Sequence, residues 1–120
     1  MQLEARKYLF DMQEAIELLQ QFVAGKSQAD YLKDRLLQSG VERQFEIIGE
    51  AAGQLAKMDP NLAAKITDYK KVIGFRNVLI HAYADVDDLL VWDIVQTQLP
   101  RLHEEVKLLG TIPQESAQTP

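Results

Sequence analysis

The sequence predicts an all-α protein, an up-and-down bundle of four main helices plus short helical pieces. Three observations carry that expectation. Apolar residues recur at steps of three and four along most of the chain, the spacing of one helical face. No run of alternating β-branched residues is long enough to build a sheet. The chain has 120 residues and no internal repeat or interdomain linker. That length suits a single domain able to bury roughly two-thirds of its unfolded surface.

The first segment carries Leu9, Met12, Ile16, Leu19 and Val23 as one apolar stripe closed by Gly25. Ser27, with Asp30 three residues on, resembles a capping box and starts a second helix near Gln28. Gly40 looks like a stop, yet Leu37, Val41, Phe45, Ile48, Ala52 and Leu55 keep helical spacing straight through it. One long helix is therefore expected from about Asp34 to Lys57. In "MDPNLAAKI", Asp59 caps and Pro60 takes the first helical position of one or two turns. A further helix begins near Thr67 or Asp68. In the last segment Val91, Val95, Leu99, Leu102, Val106 and Leu109 continue across Pro100. This predicts one helix kinked at the proline, whose ring removes the hydrogen bond to the Gln96 carbonyl. The end, "TIPQESAQTP", has too little apolar content to fold, so the domain is read as 1–109 and residues 110–120 as a mobile tail.

Composition narrows the function. There is no cysteine, which excludes disulfides and thiolate metal sites. Acidic residues interrupt the apolar positions of the N-terminal segment, so it lacks the core of a signal peptide or membrane span, and a cytoplasmic location is expected. The net charge of −5 argues against broad non-specific nucleic-acid binding. A local basic region remains, because residues 65–81 hold Lys65, Lys70, Lys71 and Arg76 against Asp68, a balance of +4 − 1 = +3.

That region leads into "FRNVLIHAYADVD", where polar groups interrupt an apolar helix. Val72, Ile73, Phe75, Val78, Leu79 and Ile80 point to nearly every side, so the helix is expected to be enclosed by protein. Asn77 and His81 share one face at a four-residue step, and Arg76 and Tyr83 share another at seven. An enclosed arginine must either pair internally, with Glu46 or Glu50 of the long helix, or line a wet cleft. Other constellations are weaker. Glu42, Glu46 and Glu50 fall at i, i+4 and i+8, but the Glu-x-x-His pairs of di-iron bundles are missing, so no metal is expected. His103, among charged residues, reads as a surface side chain and Trp92 as a packing residue. No phosphate-loop, dinucleotide or serine-hydrolase motif is present.

"VERQFEIIGEAA", "GFRNVLIHAY" and "VDDLLVWDIVQTQLPRL", in that order and spacing, resemble the HepT-like branch of the HEPN domains over about residues 3–109. The family signature R-x4-H-x-Y is Arg76, His81 and Tyr83 here, with Asn77 as the polar residue after the arginine. Many relatives carry an acid between histidine and tyrosine and an aromatic just after, where this chain has Ala82 and Ala84. The resemblance implies a helical bundle that pairs as a two-fold homodimer and cleaves RNA without metal. It also implies a toxin whose antitoxin, a minimal nucleotidyltransferase, transfers AMP from ATP to Tyr83. No cofactor of its own is expected, ATP entering only as that partner's AMP donor. The alternative is a non-catalytic HEPN adaptor that binds nucleotide or docks the nucleotidyltransferase.

The residues make chemical sense of this. Without a metal, the nucleophile available for cutting RNA is its own 2′-hydroxyl. A histidine, titrating near neutrality, can take that proton, a step worth about 10²–10⁴-fold. His81 is expected to fill that role, Arg76 to hold the phosphate and offset charge on its oxygens, and Asn77 to orient His81 or bond the phosphate. Tyr83 is expected to reach the cleft mouth beside His81 only if the helix ends at about Ala82.

Overall fold

The computed structural model describes residues 1–113, and of Tyr83 the backbone alone. Among them the chain forms seven α-helices and no strand. α1 (Leu3–Val23) buries Ala5, Leu9, Met12, Ile16 and Leu19, the expected stripe moved one turn toward the N-terminus. The turn that follows it holds Gly25, whose φ of +75° favours glycine. The box before α2 (Gln28–Leu32) is complete: Ser27 Oγ accepts from the Asp30 N–H and Asp30 Oδ2 from the Ser27 N–H. α3 (Arg35–Met58) starts where Asp34 Oδ1 accepts from the Leu37 N–H at 3.0 Å. It runs unbroken through Gly40, where a methyl would come within 3.2 Å of the Phe22 ring. Glycine there lets α1 and α3 close up.

α1 and α3 form the central antiparallel pair, with Phe22 beside Gly40 and Lys7 sharing a groove with Arg43 to Gln54 further along α3. α4 (Pro60–Ala63) is the short turn capped by Asp59, whose Oδ1 accepts from the Leu62 N–H. α5 (Tyr69–His81) packs on α3, with Phe75 edge-on to Phe45 at 5.2 Å between centroids. It begins at Asp68, in the left-handed region at φ 57°. Glu105 pins that corner from the far side, accepting from the Thr67 N–H at 3.0 Å and from Thr67 Oγ1 at 2.6 Å.

The last segment differs from the expectation of a single kinked helix. It divides at Gln98 into α6 (Asp88–Thr97) and α7 (Leu99–Leu109), with Pro100 in the first turn of α7. A proline that cannot donate is better accommodated at a helix start than inside a helix. The apolar set still faces inward: Val91, Val95, Leu99, Val106 and Leu109 are all buried. α2 is held to α6 by Tyr31 against Trp92, 5.3 Å apart and tilted 30°, the packing role expected of Trp92.

α7 returns along α1. His103, read from sequence as a surface side chain, is only 17% exposed and its Nε2 lies 2.9 Å from Glu17 Oε2. That hydrogen bond, with a second from Gln13, holds the Glu17 carboxyl below its ordinary range. The charged neighbours of His103 in sequence concealed the single face that α1 covers. Beyond α7, Arg6 donates to the Gly110 carbonyl at 2.9 Å and to that of Ile112, and the Met1 amine donates to the Pro113 carbonyl at 3.1 Å. Residues 110–113 thus lie against α1. The rest of the expected tail, 114–120, falls outside the described residues.

Candidate functional site

α5 is not enclosed by its own chain. Only Leu79 is buried, while Asn77 and His81 are exposed, Val78 is 51% exposed and Ile80 38%. Its apolar residues do point many ways, but α3 covers one side alone. α5 stands as a ridge between two grooves.

One groove, about 470 Å³, lies between α1, α3 and α5 and is charged. Its walls carry Lys7, Asp11, Arg43, Glu46, Glu50 and Arg76, each cation paired with a carboxylate. Arg76 Nη2 meets Glu50 Oε2 at 3.0 Å, Arg43 meets Glu46 at 3.2 Å, and Lys7 meets Asp11 at 3.7 Å. Both structures considered for the arginine therefore hold at once. Arg76 is paired, yet its side chain is 32% exposed and that of Glu50 53%, so the pair sits in the wall of a wet cleft. The glutamate row at 42, 46 and 50 does not converge, and among the described residues no cluster of metal-ligating side chains forms.

The other groove, about 440 Å³, is apolar and lies between α3, α5, α6 and α7, lined by Phe45, Ile48, Val72, Phe75 and Leu102. Lys71 and Arg101 stand among its lining residues, and Arg101 pairs with Asp68 at 3.7 Å. Lys71 and Arg76 therefore line different grooves, and the basic segment 65–81 does not form one patch.

Along α5, Arg76 and Ile80 share the charged cleft at a four-residue step. Asn77 and His81 form the next stripe, about 100° round the helix, on the exposed crest. The two stripes are joined by Arg76 Nη1, which donates to Asn77 Oδ1 at 3.4 Å. Asn77 thus contacts the arginine, and among the described residues nothing bonds the His81 ring. The arrangement offers a paired guanidinium in the cleft wall and an accessible imidazole on the neighbouring stripe, at the end of the same helix.

α5 ends at His81, with Ala82 as its cap, and Tyr83–Asp85 form a 3₁₀ turn. The helix end that Tyr83 needs is present, and the chain turns there. The Tyr83 side chain lies outside the described residues.

Sequence reasoning missed Gly49, buried in α3 under Arg76. Glycine inside a helix costs roughly 0.5–1 kcal/mol relative to alanine. Its place in the middle of a 24-residue helix was the available signal. Lys7 and Arg43 were also missed, since each comes from another helix and has no spacing relation to Arg76.

A model of the family described as "Ribonuclease HepT-like" matches residues 12–109. The chain belongs to the HepT-like ribonuclease family. A Thermococcus cleftensis protein named "Probable ribonuclease HepT" is 36% identical over 81% of this chain and 87% of its own length. A Caldanaerobacter subterraneus protein named "Putative RNase" is 34% identical over 85% of this chain and 90% of its own. A Methanocaldococcus jannaschii protein named "Gamma-glutamylcyclotransferase and putative RNase" is 33% identical over 88% of this chain. The match spans 47% of that relative, so the chain covers about half its length. No solved structure matches. In this HepT-like chain the matched region contains α3, α5, the apolar groove and the charged groove apart from Lys7, Tyr8 and Asp11.

Proposed function

We propose that this chain is a metal-independent endoribonuclease that cuts RNA through the substrate's own 2′-hydroxyl. The observation that carries the reading is a cleft-wall arginine and an exposed imidazole on neighbouring stripes of one helix, in a HepT-like chain. His81 takes the 2′-hydroxyl proton. Arg76 binds the scissile phosphate and offsets charge on its oxygens as the 2′-oxygen bonds to phosphorus and the bond to the 5′-oxygen breaks, that oxygen leaving as a hydroxyl with a proton from the imidazolium or water. Asn77 holds the guanidinium, since its Oδ1 accepts from Arg76. The test is cleavage of a single-stranded RNA in EDTA. Products ending in 2′,3′-cyclic phosphate, no cutting at a deoxy-substituted site, and loss of cleavage in both His81→Ala and Arg76→Ala are expected. Rate loss should be at least about 10²-fold, with circular dichroism unchanged because both side chains are partly or fully exposed. Loss of activity on chelation overturns the mechanism.

The family resemblance extends the reading to a toxin silenced by a nucleotidyltransferase antitoxin that adds AMP to Tyr83. Tyr83 follows the end of α5 by two residues, so an added phosphate would bring negative charge to the His81 end of the helix. With that enzyme and ATP, AMP mass on the Tyr83 peptide and loss of cleavage are expected, while Tyr83→Phe stays active. Equal silencing of the phenylalanine variant overturns the modification. A docking role without catalysis is the competing reading, favoured by Val78 and Ile80 lying exposed beside His81. It predicts a stable complex and no cleavage by the free chain.

A further inference from the structure

We infer that Gly49 and Glu50 of α3 position Arg76, and that Glu50 sets how strongly a phosphate is held there. This rests on the ribonuclease reading for its consequence, and on the geometry of α3 and α5 for its cause. Gly49 has no side chain, and the stem of Arg76 occupies the space. A methyl built on Gly49 collides with Arg76 Cβ and lies 3.2 Å from the Val72 carbonyl oxygen and 3.3 Å from Arg76 Cγ. Two of those atoms belong to the arginine and one to the α5 backbone, so relief requires α5 to move off α3. Gly53, one turn on, has nothing within 4 Å of the same added methyl. The constraint is therefore local to the arginine.

Residue 50 then meets the far end of the side chain. Gln54 Nε2 donates to Glu50 Oε1 at 3.3 Å, Arg76 Nη2 meets Glu50 Oε2 at 3.0 Å, and Arg76 Nη1 donates to Asn77 Oδ1 at 3.4 Å. The guanidinium is gripped from both sides by acceptors on two helices. Of its five N–H donors, these contacts engage one on each Nη and leave Nε–H and a second hydrogen on each Nη for a phosphate. A group held this way needs no reorganisation when charge develops on the substrate. Glu50 also carries a negative charge beside the place a phosphate must occupy, so it opposes binding while it orients the arginine. The two effects separate by substitution, because glutamine keeps the acceptor and loses the charge.

The experiment compares cleavage kinetics of the full chain with Glu50→Gln, Glu50→Ala, Gly49→Ala and Gly53→Ala. Glu50→Gln is expected to keep kcat within about threefold and to lower KM about two- to fivefold, the scale of one half-exposed ion pair. Glu50→Ala and Gly49→Ala lower kcat about ten- to a hundredfold, as a displaced positioning group does. Gly53→Ala adds the same methyl to the same helix and leaves both constants unchanged. Glu50→Ala cleaving like the parent, Glu50→Gln losing as much kcat as Glu50→Ala, or Gly49→Ala matching Gly53→Ala overturns the proposal. A parent chain that does not cleave overturns the ribonuclease reading instead. Positioning is then read from the Arg76 guanidinium ¹⁵N–¹H signals: a resolved signal in the parent that shifts in Gly49→Ala and collapses in Glu50→Ala supports it, and a signal unmoved in both refutes it.

Discussion

Tyr31 and Glu42 show how burial and charge meet at a single residue. The Tyr31 side chain is fully buried, and among the described residues no group bonds its hydroxyl. Burial first, then the charges of Glu42 and Asp88, raise its pKa above the ordinary value. Glu42 is itself raised, chiefly by burial and next by Asp88. A raised carboxyl means that the folded state disfavours the charged form, so Glu42 weakens the fold once it ionises and ceases to do so as it protonates. Glu42→Gln should therefore raise Tm at neutral pH by about 1–3 °C. That advantage should shrink as pH falls through the acid range, as thermal melts across pH will show. An advantage that grows toward acid pH would mean that the charge stabilises the fold. At this scale the sequence revealed part of the site. It offered Glu46 or Glu50 as a partner for Arg76, and the structure selects Glu50. It hid the burial of His103, since exposure depends on which face a distant helix covers.

Elements were legible where local chemistry decides them. Ser27 and Asp30, Asp34, and Asp59 with Pro60 all mark starts that the structure reproduces, because a side-chain acceptor satisfies free N–H groups within its own turn. Asp34 is the strongest case, since it starts the helix that carries Gly49 and Glu50. Asp34→Ala should cost about 1 kcal/mol in denaturant unfolding, with an unchanged m-value and little effect on cleavage, the cap lying at the opposite end of α3 from residue 54. Where tertiary contacts decide, the pattern said less. The apolar stripe crossing Pro100 was correctly assigned to the core, yet the backbone breaks at Gln98. The scattered apolar residues of α5 implied full enclosure, but a lone chain supplies only one wall.

For the whole molecule, the uncovered side of α5 is an apolar surface beside the candidate site. Val78 and Ile80 flank the crest that carries Asn77 and His81, and Leu89 and Leu90 of α6 are about half exposed. A second copy meeting this crest would cover the apolar flanks and bring two imidazoles to one cleft. On that reading the parent sediments as a dimer. Val78→Asp gives a helical monomer with cleavage reduced at least about tenfold, the cost of burying a carboxylate without a partner being several kcal/mol. A monomeric parent that cleaves RNA removes the two-copy site.

The seam where Arg6 and the Met1 amine grip residues 110–113 bears on how the chain can be rewired. Residues 1 and 113 are neighbours in space, while Gly25 and Lys26 form an exposed bend far along the sequence. Bridging the first pair and cutting at the second would give a circular permutant that begins at α2, ends with α1 and keeps every helix of the charged cleft intact.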